Sequence, residues 1–551
     1  MPNFLETILA QLKRADGRVV LREVRGDQFV SVTGRELLDQ IQLVRAFIRG
    51  SDVRSGDRCA LLAANSIRWA AVHLGLMAEG VIVVPLYSRQ SPVELAGMMK
   101  DCQPRLIFAG EAALGDGVAQ AWPEAPRRVL FDEVLRQSVP QTQIFDAPNP
   151  RPDSDIVSII YTSGTSGEPK GVCLNVANLT HMLSCTTERL DQLMGAINEP
   201  DRVFHYLPFN FAASTILLLS CLTRESVLTL STDLNKIADE ILLASPNYFL
   251  NVPTLLERVR RGVEEAIAKR PALIRSVFAK ARRGWQRQHA GRGRALDAFW
   301  LAISRALIFR KIRERLGPNL RALICGSAPL APETQQFFLM LGIPVLQAYG
   351  LTETTGICTL DDPRVPVEPG YVGSAISGIE MKQAENEEIV VRGPHIFPGY
   401  WNRPEETARV VRDGWFHTGD QGEVNVRGNW RISGRIKNLI ILNSGHNIAP
   451  EPIEEELSRA VPGAQQVMLV GNGRSFLAAI ITGTAADAEI NSQLERVNAP
   501  LPHYRKIRKY HVAQETFTIE NGLLTANGKF RRETIAARFA AEIERMYAKP
   551  D

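Results

Sequence analysis

The amino-acid sequence predicts an α/β protein with a large N-terminal domain of mixed sheets and helices and a small α+β domain behind it. Three observations carry this. Up to Gly350, strand-like and helix-like segments alternate, the pattern of a largely parallel sheet with helices on its faces. From Pro363 onward the texture changes to short strands and Gly- and Pro-rich turns. After GRIKN (Gly434–Asn438) about 110 residues remain with strand and helix signals of their own, enough for a small domain.

The elements follow in chain order. DRCALLAANSIRWAAVHLGLMAEGVIVVPLY (Asp57–Tyr87) reads as strand, amphipathic helix, strand: an apolar run, then 3.6-residue periodicity, then a β-branched run. Further strands are expected at RLIFAG (Arg105–Gly110), IVSIIYT (Ile156–Thr162), SVLTL (Ser226–Leu230), ALIC (Ala322–Cys325) and IPVLQAYG (Ile343–Gly350). The most apolar stretch, STILLLSCL (Ser214–Leu222), falls well short of the roughly 20 residues that span a bilayer and reads as a buried helix. EEIVVRGPHIFPGYW (Glu387–Trp401) typifies the later texture.

Between Glu257 and Pro318 the chain is basic and helix-prone, as in FAKARRGWQRQHAGRGR (Phe278–Arg294). In AFWLAISRALIFRKIRERLG (Ala298–Gly317), Leu301, Ile308, Ile312 and Leu316 share one helical face, although Arg305 intrudes on it. Gly317-Pro318 stops the helix. This segment, 257–318, reads either as a solvated helical excursion packed on the main domain or as a cationic surface for anionic lipid headgroups.

Composition excludes several classes. The 551 residues are 45% apolar and 23% charged, as in a globular protein with a sizeable core, and the net charge of +4 gives no argument for nucleic acid. Seven scattered cysteines never form CxxC, so neither a disulfide framework nor a zinc site is expected, and a cytoplasmic location is the default. The N-terminus, MPNFLETILAQLKRADGR, has charges where a signal peptide would be apolar, so a soluble protein is expected.

YTSGTSGEPKGV (Tyr161–Val172) looks like a phosphate-holding loop. A Walker A loop needs GxxxxGK[ST] followed by a helix. Here the spacing from Gly164 meets Pro169-Lys170-Gly171, and a strand-like GVCLN follows. The Rossmann fingerprint fails on the same context. What remains is four hydroxyls (Thr162, Ser163, Thr165, Ser166), three glycines (Gly164, Gly167, Gly171) and Lys170. Glycines let successive N–H groups converge on an anion, hydroxyls add donors and the lysine adds charge.

The loop resembles the signature of the adenylate-forming superfamily of acyl-CoA synthetases, peptide-synthetase adenylation domains and luciferases. Nearly the whole chain shares the resemblance, because four further motifs appear in order: QAYGLTETTG (Gln347–Gly356), WFHTGDQG (Trp415–Gly422), SGRIKNLIILNSGHNIAPEPIE (Ser433–Glu454) and LTANGKFRR (Leu524–Arg532). It is most similar to the long-chain fatty acyl-CoA synthetases. The fold so implied is a large adenylate-forming domain, residues 1–434, that binds ATP and the acyl group, and a mobile lid, residues 435–551.

The activity implied is that of an AMP-forming acid–thiol ligase using ATP, Mg²⁺ and coenzyme A. A carboxylate attacks the α-phosphate of ATP, and a thiol then displaces AMP. By this resemblance the loop Thr162, Ser163, Gly164, Thr165, Ser166, Gly167 and Lys170 meets the β- and γ-phosphates. Thr352 bonds the α-phosphate, and Glu353 holds Mg²⁺, a hard cation that takes oxygen ligands. GSAPL, with Gly326, Ser327 and Ala328, and Tyr349-Gly350 face the adenine; Tyr349 is equally placed to be an ordinary strand-end core residue. Asp420 accepts from the ribose hydroxyls, with Arg435 beside it. Lys529 bridges the carboxylate and α-phosphate, a point charge that follows migrating charge. Family members usually have Thr-Pro where this chain has Thr525-Ala526. Lys437 stands at the hinge, and Ser444 and Gly445 lie on the loop nearest the thiol tunnel.

For the acyl group, LPFNFAAS (Leu207–Ser214) carries Phe211 where long-chain enzymes commonly have histidine. Phe211 and Ala212, with Gly326, are the implied acyl contacts. The fatty acid is medium to long, and the thiol belongs to free coenzyme A or to a carrier protein. No nucleic-acid partner is expected. Residues 257–318 are the candidate for peripheral contact at the inner membrane surface.

Overall fold

The computed structural model describes residues 2–136, 147–163, 169–195, 199–525 and 528–548, the side chain of Ser163 excepted. It confirms the α/β architecture, with a large N-terminal domain and a smaller C-terminal one. Among the described residues the largest sheet has nine strands. Its six central ones run parallel: Val345–Tyr349, Ala322–Cys325, Tyr248–Asn251, Asp201–His205, Ser226–Leu230 and Val19–Arg25.

A second, six-stranded sheet holds Arg128–Leu130, Leu106–Ala109, Arg58–Leu62, Ile82–Leu86, Ile156–Ser163 and Pro169–Asn175, parallel except for the last pair. Every residue of Ile82–Leu86 is buried, the mark of a parallel strand covered on both faces. Helices supply the covers. Ile67–Ala78 is capped by Ser66, whose side chain accepts from the Trp69 N–H, and all but Arg68 of its residues are buried. Ala212–Thr223 is the apolar helix the sequence predicts, and it is buried over most of its length.

The strand expectations between Asp57 and Gly350 all correspond to observed strands. The basic segment contains Pro253–Ala268, Ala272–His289 and Ala295–Ser304, and the last continues through a π turn at Arg305–Phe309 into Arg310–Leu316. The π turn falls at Arg305, the residue that breaks the expected apolar stripe. One extra residue in the turn lets Ile308 and Phe309 both reach the core while Arg305 stays outside. The helix ends at Leu316, before Gly317-Pro318.

After a five-stranded sheet of short antiparallel strands comes the C-terminal domain, a three-stranded sheet (Ala464–Val470, Leu477–Gly483, Ile507–Ala513) with its own apolar core around Leu457, Leu477 and Ile490. All seven cysteines are buried thiols. No described helix is long and apolar enough to cross a membrane.

Candidate active site

Open parallel sheets bind ligands beyond the carboxyl ends of their strands, and the motif residues collect there. The strand Val345–Tyr349 ends in a tight loop. A Cβ at Gly350 would stand 2.5 Å from the Gly356 carbonyl oxygen, so only glycine fits. The loop makes one 3₁₀ turn, Thr352–Thr354, and the Thr355 hydroxyl donates to the His395 carbonyl at 2.7 Å. The Glu353 carbonyl accepts from the Phe397 N–H at 2.9 Å. The Glu353 carboxylate Oε1 accepts from the Tyr400 hydroxyl, also at 2.9 Å.

The strands Trp415–Val424 and Trp430–Arg435 pair so that Asp420 lies opposite Arg435. Asp420 is buried; its Oδ1 accepts from Arg435 Nε at 2.6 Å and its Oδ2 from the Tyr349 hydroxyl at 2.9 Å. Burial opposes the Arg435 charge, but Asp420 outweighs it and raises the pKa. Burial, with the Asp420 charge beside it, pushes the Tyr349 phenol far up, so it remains a donor. Each carboxylate oxygen can accept a second bond, so Asp420 retains capacity for a ligand.

Lys529 comes from the C-terminal domain. It sits in a turn closed by Thr525, whose hydroxyl accepts the Lys529 N–H at 3.1 Å while the Thr525 N–H donates to the Lys529 carbonyl at 2.8 Å. Two residues on, Arg531 pairs with Glu94 of the helix Pro92–Cys102 at 2.5 Å, tying this turn to the N-terminal domain. The Lys529 side chain is open to the cleft yet walled by both domains. That enclosure, with Arg435 and Lys437 nearby, pushes its pKa down to about 8; Asp420 and Glu353 pull the other way. Lys437, in the turn Ile436–Asn438, is lowered for the same reasons, partial desolvation in the cleft first and then Arg435. Asp420, Arg435, Tyr349, Glu353, Lys437 and Lys529 therefore share one cleft.

The phosphate-loop strands pair antiparallel, Thr162 opposite Lys170 and Ser163 opposite Pro169. The strand-after-loop context that excludes a P-loop is thus observed. Gly164, Thr165, Ser166 and Gly167 lie outside the described residues. Lys170 pairs with Glu406, and its ammonium lies 5.4 Å from the Tyr400 ring centre.

Gly326 follows the strand Ala322–Cys325, its N–H donating to the Asn251 carbonyl at 3.2 Å; Ser327 and Ala328 are exposed beyond it. Phe211 and Ala212 begin the helix Ala212–Thr223, whose Ala213 packs against Gly356. The Phe211 ring is 6.2 Å from Tyr87, which lines a cleft of about 620 Å³ with Asn65, Arg89, Tyr206 and Asn210. This cleft borders the Phe211 side and not the Asp420 cluster. Ser444 and Gly445 form a hairpin tip in the C-terminal domain, where the Ser444 hydroxyl bonds His446 Nδ1 at 2.9 Å and His446 stacks on Tyr504 at 4.1 Å. His446 thus anchors the loop.

Sequence reasoning missed Tyr400, Glu406, Glu94 and Arg531. Tyr400 stood in the quoted stretch Glu387–Trp401, but nothing local marks a tyrosine as a partner of a glutamate 47 positions away.

Among the described residues no three His, Cys, Asp or Glu side chains gather as a metal cage. A single carboxylate suits Mg²⁺, which binds through one or two carboxylates and substrate phosphates. The Glu353 carboxylate fits, since Tyr400 engages only its Oε1.

Comparison with known proteins agrees with the motifs. Residues 9–401 match the AMP-binding enzyme family, and residues 437–551 match the AMP-binding enzyme C-terminal domain. The chain is 27% identical to the long-chain-fatty-acid–CoA ligase FadD15 of Mycobacterium bovis, over 96% of this chain and 94% of that one. It is 32% identical to the putative fatty-acid–CoA ligase fadD11 of Mycobacterium tuberculosis, over 72% and 74% respectively. The adenylation domain of a carboxylate reductase from Mycobacterium chelonae shares the fold, with a TM-score of 0.78 at 21% identity over 100% of this chain and 91% of that one. The chain belongs to the AMP-binding enzymes, the adenylate-forming superfamily whose five motifs it carries in order.

Proposed function

We propose that this enzyme is an ATP-dependent acyl-CoA synthetase for medium- to long-chain fatty acids. The observation that carries the reading is the meeting of Tyr349, Glu353, Asp420 and Arg435 with Lys529 of the C-terminal domain in one cleft. The names of the relatives support the acid class.

In the first half-reaction a carboxylate oxygen attacks the α-phosphorus, and the bond to the pyrophosphate oxygen breaks. Two anions must approach, so fixed positive charge and donors govern the rate. Lys529 spans the attacking carboxylate and the α-phosphate. Thr352 donates to that phosphate, and Thr162, Ser163, Gly164, Thr165, Ser166, Gly167 and Lys170 hold the phosphates beyond it. Glu353 would hold Mg²⁺, which supplies charge neutralisation at the phosphate oxygens when bound. Asp420 and Arg435 take the ribose, while Tyr349, Gly350, Gly326, Ser327 and Ala328 frame the adenine. Phe211, Ala212 and Gly326 border the acyl group.

In the second half-reaction a thiolate attacks the acyl carbon, and AMP leaves. Residues 435–551 rotate about Lys437, withdraw Lys529 and bring Ser444 and Gly445 to coenzyme A. The enzyme works in the cytoplasm, at the inner membrane surface, which segment 257–318 meets.

A pyrophosphate-release screen over acids of graded length, with and without coenzyme A, tests this. Release that peaks with fatty acids, and thioester that forms with free coenzyme A, is the expected outcome. Adenylation without transfer to free coenzyme A would point instead to a carrier-protein thiol.

A further inference from the structure

Lys170, the cation of the phosphate loop, is paired with a carboxylate of its own chain, Glu406. Two backbone hydrogen bonds lay residues 399–401 antiparallel along the strand Pro169–Asn175. The Trp401 N–H donates to the Gly171 carbonyl at 2.7 Å, and the Cys173 N–H donates to the Gly399 carbonyl at 3.1 Å. The chain then turns into the short helix Pro404–Val410. Its Thr407 hydroxyl donates to the Arg403 carbonyl and accepts the Tyr400 N–H, both at 2.9 Å, so the first helical turn is fixed on the loop. That turn carries Glu406 to the Lys170 ammonium, both side chains partly buried.

Beyond Glu406 the charges continue. Arg403 Nε lies 4.0 Å from Glu406 Oε1, within ion-pair range and outside hydrogen-bond range. This Nε is buried and has no hydrogen-bond partner among the described residues. The other end of the guanidinium is held, since Arg403 Nη2 donates to Asp101 Oδ1 at 3.2 Å. Asp101 Oδ2 accepts from the Tyr161 hydroxyl at 2.6 Å, and Tyr161 lies on the strand Ile156–Ser163 that enters the phosphate loop. Lys170, Glu406, Arg403 and Asp101 thus form a row of alternating charge, closed at its far end by a phenol.

A carboxylate in contact changes what Lys170 offers to a polyphosphate. The hydrogen bond from Lys170 holds the Glu406 carboxyl below the usual carboxylate range, so it is ionised at neutral pH. Neutralised by that charge, the ammonium attracts an incoming phosphate less, and the carboxylate itself repels it. Phosphate binding therefore requires Glu406 to yield the lysine and to find another cation. Arg403 Nε is a free donor of that kind, and a rotation of the Glu406 side chain would close the 4.0 Å gap. A pair that serves only the fold gives no reason for such a donor beside it, since an unmade hydrogen bond on a buried charged group is destabilising.

We propose that Glu406 is a displaceable counter-ion of Lys170: the β- and γ-phosphates of ATP take the lysine, and the carboxylate passes to Arg403 Nε. No covalent bond forms or breaks. The Lys170–Glu406 pair is replaced by Lys170–phosphate and a hydrogen-bonded Arg403–Glu406 pair. Glu406 thereby lowers the affinity for the triphosphate selectively, because AMP has no β- or γ-phosphate to compete for Lys170. Its return to the lysine after adenylation helps to expel pyrophosphate. Glu406 and Arg403 are positioning residues in this scheme, which rests on the reading of Lys170 as a ligand of the ATP phosphates.

Titration calorimetry of the full chain with ATP and Mg²⁺, without acid so that no adenylate forms, tests it beside the same titration with AMP. Glu406→Gln should tighten ATP binding about fivefold, the scale of a part-exposed ion pair, and leave AMP affinity unchanged. Arg403→Gln should weaken ATP binding by a similar factor, again without effect on AMP, because the carboxylate loses its second partner. The double variant should bind ATP like Glu406→Gln alone, since Arg403 acts only through Glu406. Weaker or unchanged ATP binding in Glu406→Gln, an equal shift in AMP affinity, or additive effects in the double variant would overturn the exchange. Lys170→Met keeps the two readings apart. If it loses ATP affinity and retains AMP, Lys170 meets the phosphates, and failure of the Glu406 variant falls on the exchange alone. Unchanged ATP binding in Lys170→Met would overturn both.

Discussion

The Tyr400 hydroxyl donates to the Glu353 carboxylate at 2.9 Å, and the Lys170 ammonium lies 5.4 Å from the centre of the same ring. One side chain thus braces the metal-binding candidate from one side and the phosphate-loop lysine from the other. Its backbone is held too, bridging Val172 and donating to the Thr407 hydroxyl at 2.9 Å. A hydrogen bond to a charged group contributes about 1.5 kcal/mol or more. Tyr400→Phe should therefore raise the Mg²⁺ concentration needed for half-maximal adenylation about tenfold, with the thermal midpoint little changed. Titration of Mn²⁺ binding to the ATP complex checks the same effect without turnover; an unaltered affinity would remove Tyr400 from this role.

Lys529→Ala should reduce pyrophosphate release from ATP plus acid by about a hundredfold or more, the scale on which loss of a single charge-stabilising donor is felt. Thioester formation from supplied acyl-adenylate should survive, because the lysine serves only the first half-reaction. Measuring the two half-reactions separately decides the point. Unchanged pyrophosphate release would sink the assignment.

The depressed pKa of Lys529 has a definite sign. Enclosure in the cleft, Arg435 and Lys437 favour the neutral amine, and the value is pushed down to about 8. The working form is the ammonium, so kcat/KM for adenylation should be full below that pH and fall as pH rises through it. An ordinary lysine would hold its charge to about 10.4. Lys529→Arg should abolish the alkaline fall at a lower plateau rate.

Arg531 and Glu94 join the Lys529 turn to the N-terminal domain at 2.5 Å, both partly buried. Glu94→Gln should slow adenylation about fivefold, corresponding to about 1 kcal/mol for a part-exposed pair, and leave the acyl-transfer half-reaction unaffected. A double-mutant cycle with Arg531→Gln should show that the two losses do not add; additive losses would mean that the pair does not position Lys529.

Lys437 lies in a one-turn 3₁₀ segment, Ile436–Asn438. Proline there would restrict φ at the proposed hinge. Lys437→Pro should therefore slow thioester formation more than adenylation. Equal loss in both half-reactions would argue against rotation at this position.

Much of the fold was legible because its signals are local. Buried parallel strands such as Ile82–Leu86 announce themselves as unbroken apolar runs, and Gly317-Pro318 marks the helix end wherever the helix packs. The π turn at Arg305 was legible only as a flaw in a stripe, because its resolution depends on which core Ile308 and Phe309 enter. Asp420 and Arg435 were found because both sit in motif wording. Glu94, Tyr400 and Glu406 were not, because each acts on a partner supplied by a distant stretch of chain.

The sequence by itself determined the superfamily, the two-domain α/β plan and the identities of the charged groups, since residue types in order and at fixed spacing are what it encodes. Tertiary structure alone decided that the Tyr349 phenol and the Arg435 guanidinium share the Asp420 carboxylate, and that Arg531 anchors the Lys529 turn on Glu94. Hydrogen bonds and charge pairs act over a few ångströms, and only folding brings residues hundreds of positions apart within that range.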